Sequence, residues 1–147
     1  MGVKWRIATE VLDAIVADAR AAGAAETCGL LFGEDGIVTA GMASRNVADD
    51  PRRRFEIDPA ALIAAHRRER AGGPRILGCY HSHPDGSPDP SPRDAADAAP
   101  NGWLWLIVGA DRAALWRAVP DGSAHGRFDP VPFACVGGVG PSQGGQT

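Results

Sequence analysis

Residues 78–94 read Gly-Cys-Tyr-His-Ser-His-Pro-Asp-Gly-Ser-Pro-Asp-Pro-Ser-Pro-Arg-Asp. The apolar lead-in through Ile76 and Leu77 predicts a central strand from Arg75 to His83. Side chains alternate faces along a strand, so His81 and His83 point one way and Ser82 the other. Downstream, Ser91-Pro92-Arg93-Asp94 reads as a helix start, with Ser91 at N-cap, Pro92 at the first helical position and Asp94 in the first turn. Ser-x-x-Asp is also a capping-box pattern, so Asp94 has a purely structural use available to it. The intervening loop, rich in proline, has fewer unfolded conformations to lose and can return a carboxylate to the two imidazoles. Two neutral imidazoles and one carboxylate make a three-ligand zinc site with its fourth position open, the pattern of a catalytic rather than a structural centre. The carboxylate could come from Asp94 or Asp89; Asp85 is too near His83 to wrap around the same ion.

His81-Ser82-His83-Pro84, seven residues counted from Pro84 to Pro90, and Ser91-x-x-Asp94 together resemble the JAMM (MPN+) metalloprotease signature. That signature also has a Glu ahead of a Cys-Gly-Leu-Leu-like strand, and this chain has Glu26-Thr27-Cys28-Gly29-Leu30-Leu31-Phe32-Gly33. The resemblance runs from the first helix to about Phe133 and selects Asp94 over Asp89. It implies the MPN fold and a Zn2+ ion held by His81, His83 and Asp94. It also implies that Glu26 is the general base and then the general acid, since none of the three ligands is free to carry a proton. A Glu at the edge of an apolar strand can have the raised pKa that this task requires. Ser91 is expected to donate a hydrogen bond to the oxyanion.

The substrate implied by the resemblance is the C-terminal tail of a ubiquitin-like protein, cut after its last Gly. Small stand-alone bacterial members resemble two groups, one deconjugating ubiquitin-like proteins and one processing sulfur-carrier proteins. Eukaryotic insertions that grip ubiquitin chains have little room here. A non-catalytic MPN scaffold is the rival from another class, but such relatives usually lack part of the ligand set. A zinc nucleobase deaminase would need His-x-Glu and Pro-Cys-x-x-Cys, which are absent. A RadC-like group shares the His-x-His and Asp spacing; the Glu26 segment favours the peptidases.

The remaining residues bound this reading. At 147 residues, with a net charge of −3, the chain is expected to hold one domain over 1–136 and a disordered tail over 137–147, GGVGPSQGGQT. Arg52 to Arg54 and Arg67, Arg68 and Arg70 read as solvated faces, so nucleic acid is not an expected partner. No apolar run is long enough for a membrane helix. Three cysteines, with no Cys-x-x-Cys and no signal peptide, point to reduced thiols in a cytoplasm. Cys79 shares a face with His81 but lies ~7 Å along the strand, so it reads as packing.

The element order expected is a strand at Trp5–Ile7, a helix capped by Thr9 and stopped by Gly23, and a hairpin from Cys28–Phe32 to Ile37–Ser44. A short strand at Arg54–Ile57 follows, then a helix from Asp58 to about Arg70 with Leu62, Ile63 and Ala65 inward and His66 read as surface or satisfied core rather than a ligand. After the ligand strand come a short helix ending near Ala99, a doubly covered strand Trp103–Val108, Ala113–Val119, an exposed His125, and a last strand Arg127–Phe133. This predicts an α/β (α+β) domain: one mixed sheet flanked by helices.

Overall fold

Leu104-Trp105-Leu106-Ile107-Val108 carries no polar side chain and is buried at all of its positions. A strand of that kind needs cover on both faces and neighbours on both edges. The structure, a computed structural model describing residues 4–137, supplies them. Its elements are β1 (Trp5–Ala8), α1 (Thr9–Ala22), β2 (Cys28–Glu34), β3 (Ile37–Ser44), α2 (Pro59–Arg70), β4 (Arg75–Ser82), α3 (Pro92–Asp97), β5 (Leu104–Val108), β6 (Ala113–Gly122), β7 (Gly126–Pro130) and β8 (Phe133–Val136). They form one sheet in the order β7-β6-β5-β4-β2-β3-β1-β8. β4 lies parallel to β5 and antiparallel to β2, so the sheet is mixed, as expected.

On one face, α1 packs Val11, Leu12, Val16 and Ala19 against Leu31, Leu77, Tyr80 and Leu106. On the other, α2 brings Leu62 and Ala65 onto Leu30 and Ile76, and α3 brings Ala95 and Ala98 onto Cys79, Trp105 and Phe128. Burying a Leu or Phe side chain contributes ~2 kcal/mol, so these clusters hold the helices down. Gly78 permits the close β4–β5 pairing: a Cβ there would overlap the Leu104 carbonyl oxygen.

Four expectations need correction. Thr9 does not cap α1; the N-cap is Ala8, which makes no side-chain cap, and Thr9 is already helical. Arg54–Ile57 forms no strand: among the described residues it contributes a single bridge, Ile57 to Asn46, with no ladder on either side. Ile63 is 54% exposed. Leu62 and Ala65, three residues apart, fill the inward face of α2, and Ile63 lies about 100° further round the helix. The strand expected at Arg127–Phe133 is two: β7 pairs with β6 at one edge of the sheet, and β8 pairs with β1 at the other. The tail expected to be disordered lies, apart from Gly137, outside the described residues.

Candidate metal centre

The C-terminal end of β4 delivers His81 on the α2/α3 face and Ser82 on the α1 face, by simple alternation. His83 follows the strand and stays aligned because its N–H donates to the Val108 carbonyl at 2.8 Å. The chain then runs through the proline-rich loop to α3. That loop is tied to the β6–β7 hairpin: Trp116 Nε1–H donates to the Pro88 carbonyl at 2.9 Å, and His125 Nε2 sits 3.0 Å from the Pro90 carbonyl. His125 is therefore an anchor as well as an exposed turn residue, with φ of 52°.

Ser91 caps α3. Its Oγ accepts from Asp94 N–H at 3.0 Å, and Asp94 Oδ2 accepts from Ser91 N–H at 3.0 Å, a complete capping box. The same Oδ2 lies 3.2 Å from His81 Nε2 and 3.2 Å from His83 Nε2, and the two Nε2 atoms are 3.0 Å apart. Capping and convergence on the histidines are thus not alternatives; one carboxylate oxygen does both. Ser91 Oγ accepts in the cap, which leaves its O–H proton free to donate elsewhere.

Glu26 reaches the site from another part of the chain. β2 runs antiparallel to β4 with Cys28 opposite His81, so the residues just before β2 lie beside the end of β4. Ser82 pins that junction: its Oγ accepts from Thr27 N–H at 2.9 Å, and Ser82 N–H donates to the Thr27 carbonyl at 3.1 Å. One Glu26 carboxylate oxygen and one ring nitrogen each of His81 and His83 all lie within 4.8 Å of one another. Glu26 is 7% exposed, and its Oε1 is buried with no hydrogen-bond partner.

The charges follow from this packing. Burial pushes the Glu26 carboxyl up to about 7, against a lowering by His83. Burial would also raise Asp94, but the His81 and His83 rings, each 3.2 Å from its Oδ2, outweigh it and hold the carboxyl well below the usual range. His81, fully buried, is lowered by burial. Burial opposes protonation of His83 too, yet its bonds to Asp94 and Ser87 leave it raised.

These atoms fit a metal ion. His83 Nδ1–H donates to the Ser87 carbonyl at 2.9 Å, so in the neutral ring Nε2 carries a bare lone pair. Asp94 Oδ2 is an acceptor as well. His81 Nε2 can offer one proton to only one of them, and His81 Nδ1 is buried without a partner. Lone pairs crowded this way repel unless a cation sits among them. Around tetrahedral zinc, with ligands at ~2.0–2.1 Å, donor atoms are about 3.3 Å apart. The observed triangle of 3.0, 3.2 and 3.2 Å is close to that. The alternative triad of Glu26 with the two histidines is looser, which sets Glu26 outside the tight triangle.

Asp85 and Asp89 are exposed, and Asp89 instead accepts from Ser87 Oγ at 3.0 Å. Cys79 is buried in the Trp105 and Phe128 cluster, where burial pushes its thiol well up, so it packs rather than ligates. His66 lies apart at the helix surface, 3.9 Å from Glu69. Two aromatic neighbours were not legible as part of the site. Phe55 stacks on the His81 ring at 4.2 Å and 18°, and Trp105 meets it edge-on at 5.6 Å. Both also line a cleft of about 510 Å³ with Cys79, Leu62 and Trp103, so Trp103 and Trp105 are core and cleft wall at once.

Residues 8–119 match the family model described as prokaryotic homologs of the JAB domain. A desampylase of Haloferax volcanii is 35% identical over 111 residues, spanning 71% of this chain and 80% of that protein. A probable TtuB-protein conjugate cleaving protease of Thermus thermophilus is 42% identical over 68 residues, spanning 45% of this chain and 44% of that one. Among solved structures, a protein of Desulfitobacterium hafniense superposes with a TM-score of 0.78 at 24% identity, covering 91% of this chain and 94% of that one.

Proposed function

The chain belongs to the prokaryotic homologs of the JAB domain, and from that membership we propose that it is a zinc-dependent isopeptidase that cleaves after the C-terminal Gly of a ubiquitin-like protein. The observation that carries this reading is the convergence of His81 Nε2, His83 Nε2 and Asp94 Oδ2 to within 3.0–3.2 Å, with the buried Glu26 carboxyl beside them. The relatives named as a desampylase and a conjugate-cleaving protease support the same class of bond and of substrate.

His81, His83 and Asp94 hold the metal. Zinc, when bound there, supplies Lewis acidity and lowers the pKa of water toward neutrality. Glu26 takes a proton from the attacking water onto its carboxylate and returns it to the leaving amine nitrogen as the C–N bond breaks. Its raised pKa, about 7, suits both halves of that transfer near neutral pH. The free O–H of Ser91 donates to the oxygen that gains negative charge at the scissile carbonyl. Phe55 and Trp105 exclude water from one side of His81 and keep its ring in place.

Processing of a sulfur-carrier protein would use the same residues on the same kind of bond. A non-catalytic scaffold has no use for a buried, unpartnered carboxylate next to a complete ligand set. Among the described residues no helix is long and apolar enough to cross a membrane. Three free cysteines suit a reducing, cytoplasmic setting, and we place the protein in a bacterial cytoplasm.

The test is mass spectrometry of a ubiquitin-like protein extended beyond its Gly-Gly, incubated with the zinc-loaded enzyme. Cleavage after the second Gly is expected, lost with chelator and lost in Glu26→Gln while zinc stays bound. Full activity of zinc-loaded Glu26→Gln would overturn the role given to Glu26. No cleavage of several such proteins by the loaded enzyme would overturn the substrate class.

A further inference from the structure

The buried Oε1 of Glu26 has no hydrogen-bond partner, so no bond to that atom holds the carboxylate in place, and the anchoring of the backbone that carries it gains weight. Both backbone polar groups of Glu26 are held by one segment, residues 46–54. Glu26 N–H donates to the Pro51 carbonyl at 2.8 Å, and the Glu26 carbonyl accepts from Asn46 Nδ2 at 3.0 Å. The other good bond from Asn46 Nδ2 goes to the Arg54 carbonyl at 3.0 Å, with a longer contact to Pro51 at 3.4 Å. Asn46 Oδ1 accepts from Ala48 N–H and Glu56 N–H, each at 3.1 Å. All the strong donors and acceptors of this amide are therefore used.

Arg54 and Glu56 are the residues on either side of Phe55. The ring they carry is the one stacked on His81 at 4.2 Å. A single half-buried side chain thus joins the proposed proton carrier to the ring that packs on a proposed metal ligand. We propose that Asn46 is a positioning residue for the active site, setting the Glu26 carboxylate and the Phe55 ring at once; this rests on the reading of Glu26 as the general base.

Asn46→Asp tests the idea with little change of shape. It keeps an oxygen for Ala48 N–H and Glu56 N–H but turns the donor into an acceptor facing the Glu26 and Arg54 carbonyls. Asn46→Ala removes both sets. With zinc loaded and a Gly-Gly-extended ubiquitin-like protein as substrate, kcat of Asn46→Asp should fall about 10- to 100-fold, as expected for a displaced catalytic group, with KM little changed. Zinc content should stay full. A second readout needs no turnover. In the metal-free protein, the ring-current upfield shift that Phe55 imposes on the His81 ring protons should shrink in Asn46→Asp.

Three results would overturn the inference. One is a folded, zinc-loaded Asn46→Asp with kcat within about twofold of wild type. The second is parallel loss of kcat, zinc and melting temperature in both variants, which would make Asn46 merely structural. The third is an unchanged ring-current shift. Separately, an active Glu26→Gln would sink the general-base reading itself, whatever Asn46 does.

Discussion

Glu26→Gln should change how the metal-free protein responds to pH. Burial raises the Glu26 carboxyl from 4.5 to about 7 in the folded state. A carboxyl whose folded pKa is raised contributes its full stability below its unfolded pKa and loses it as pH climbs through the folded value. The window here is therefore pH 4.5 to about 7. Each pKa unit corresponds to about 1.4 kcal/mol, so the full shift corresponds to about 3 kcal/mol. Relaxation and water entry on ionisation reduce this, and we expect about 2 kcal/mol. Gln does not titrate, and Asp94, His81 and His83 are common to both proteins. The difference in unfolding free energy between variant and wild type should thus move by about 2 kcal/mol in favour of Gln between pH 4.5 and 8, then stay flat. Urea unfolding of chelator-treated protein at several pH values measures it. A difference independent of pH would mean that Glu26 is solvated or paired in the folded protein. The argument from its buried, unpartnered Oε1 would then be wrong.

The other predictions concern the ligand loop and the sheet. Ser91→Ala should cost about 1 kcal/mol in urea unfolding through the lost α3 cap. It should also lower kcat by about 10²–10³-fold through the lost oxyanion donor. Unchanged kcat beside the stability loss would leave Ser91 a cap alone. Asp94→Asn keeps an oxygen for Ser91 N–H but drops the charge that His81 and His83 stabilise, so the metal-free protein should lose more than the cost of a missing cap, about 1 kcal/mol. Zinc should also be lost on gel filtration, and full zinc content by metal analysis would remove Asp94 from the ligand set. Gly78→Ala forces a methyl onto the Leu104 carbonyl and should cost about 3 kcal/mol or more, read by thermal melting. A near-neutral result would mean that β4 and β5 can separate.

What could be read from the residues, and what could not, divides by sequence distance. The Ser91 cap is written in residues three apart, and the helix α1 stripe in residues three and four apart. Thr9 is helical rather than a cap because a polar residue at a helix start suits N-cap and first turn alike, and only the backbone angles of Ala8 decide. Ile63 looked like core because α2 is apolar on more than one side; packing on the sheet chose the Leu62 and Ala65 face. Arg127–Phe133 looked continuous, yet Gly126–Pro130 and Phe133–Val136 pair at opposite edges of the sheet, a matter of partners and not of local propensity. Nothing near Asn46 in the chain marks its role, since its bonds to Glu26 and Arg54 span 20 and 8 residues.

The sequence by itself determined that His81 and His83 face the same way, because strand alternation is covalent geometry. It likewise determined that Ser91 and Asp94 open a helix, because the first-turn N–H groups need acceptors. Tertiary structure alone decided that Glu26 stands beside them. That depends on β2 running antiparallel to β4 with Cys28 opposite His81. A register slip of one residue would turn every side chain of β2 to the other face, and nothing local to residues 26–34 forbids it. Gly29 forbids it through its neighbours across the sheet: it lies opposite Tyr80, where a Cβ would run into the Tyr80 ring and the Met42 carbonyl oxygen, so no side chain of a slipped β2 fits there, and with that register comes the site.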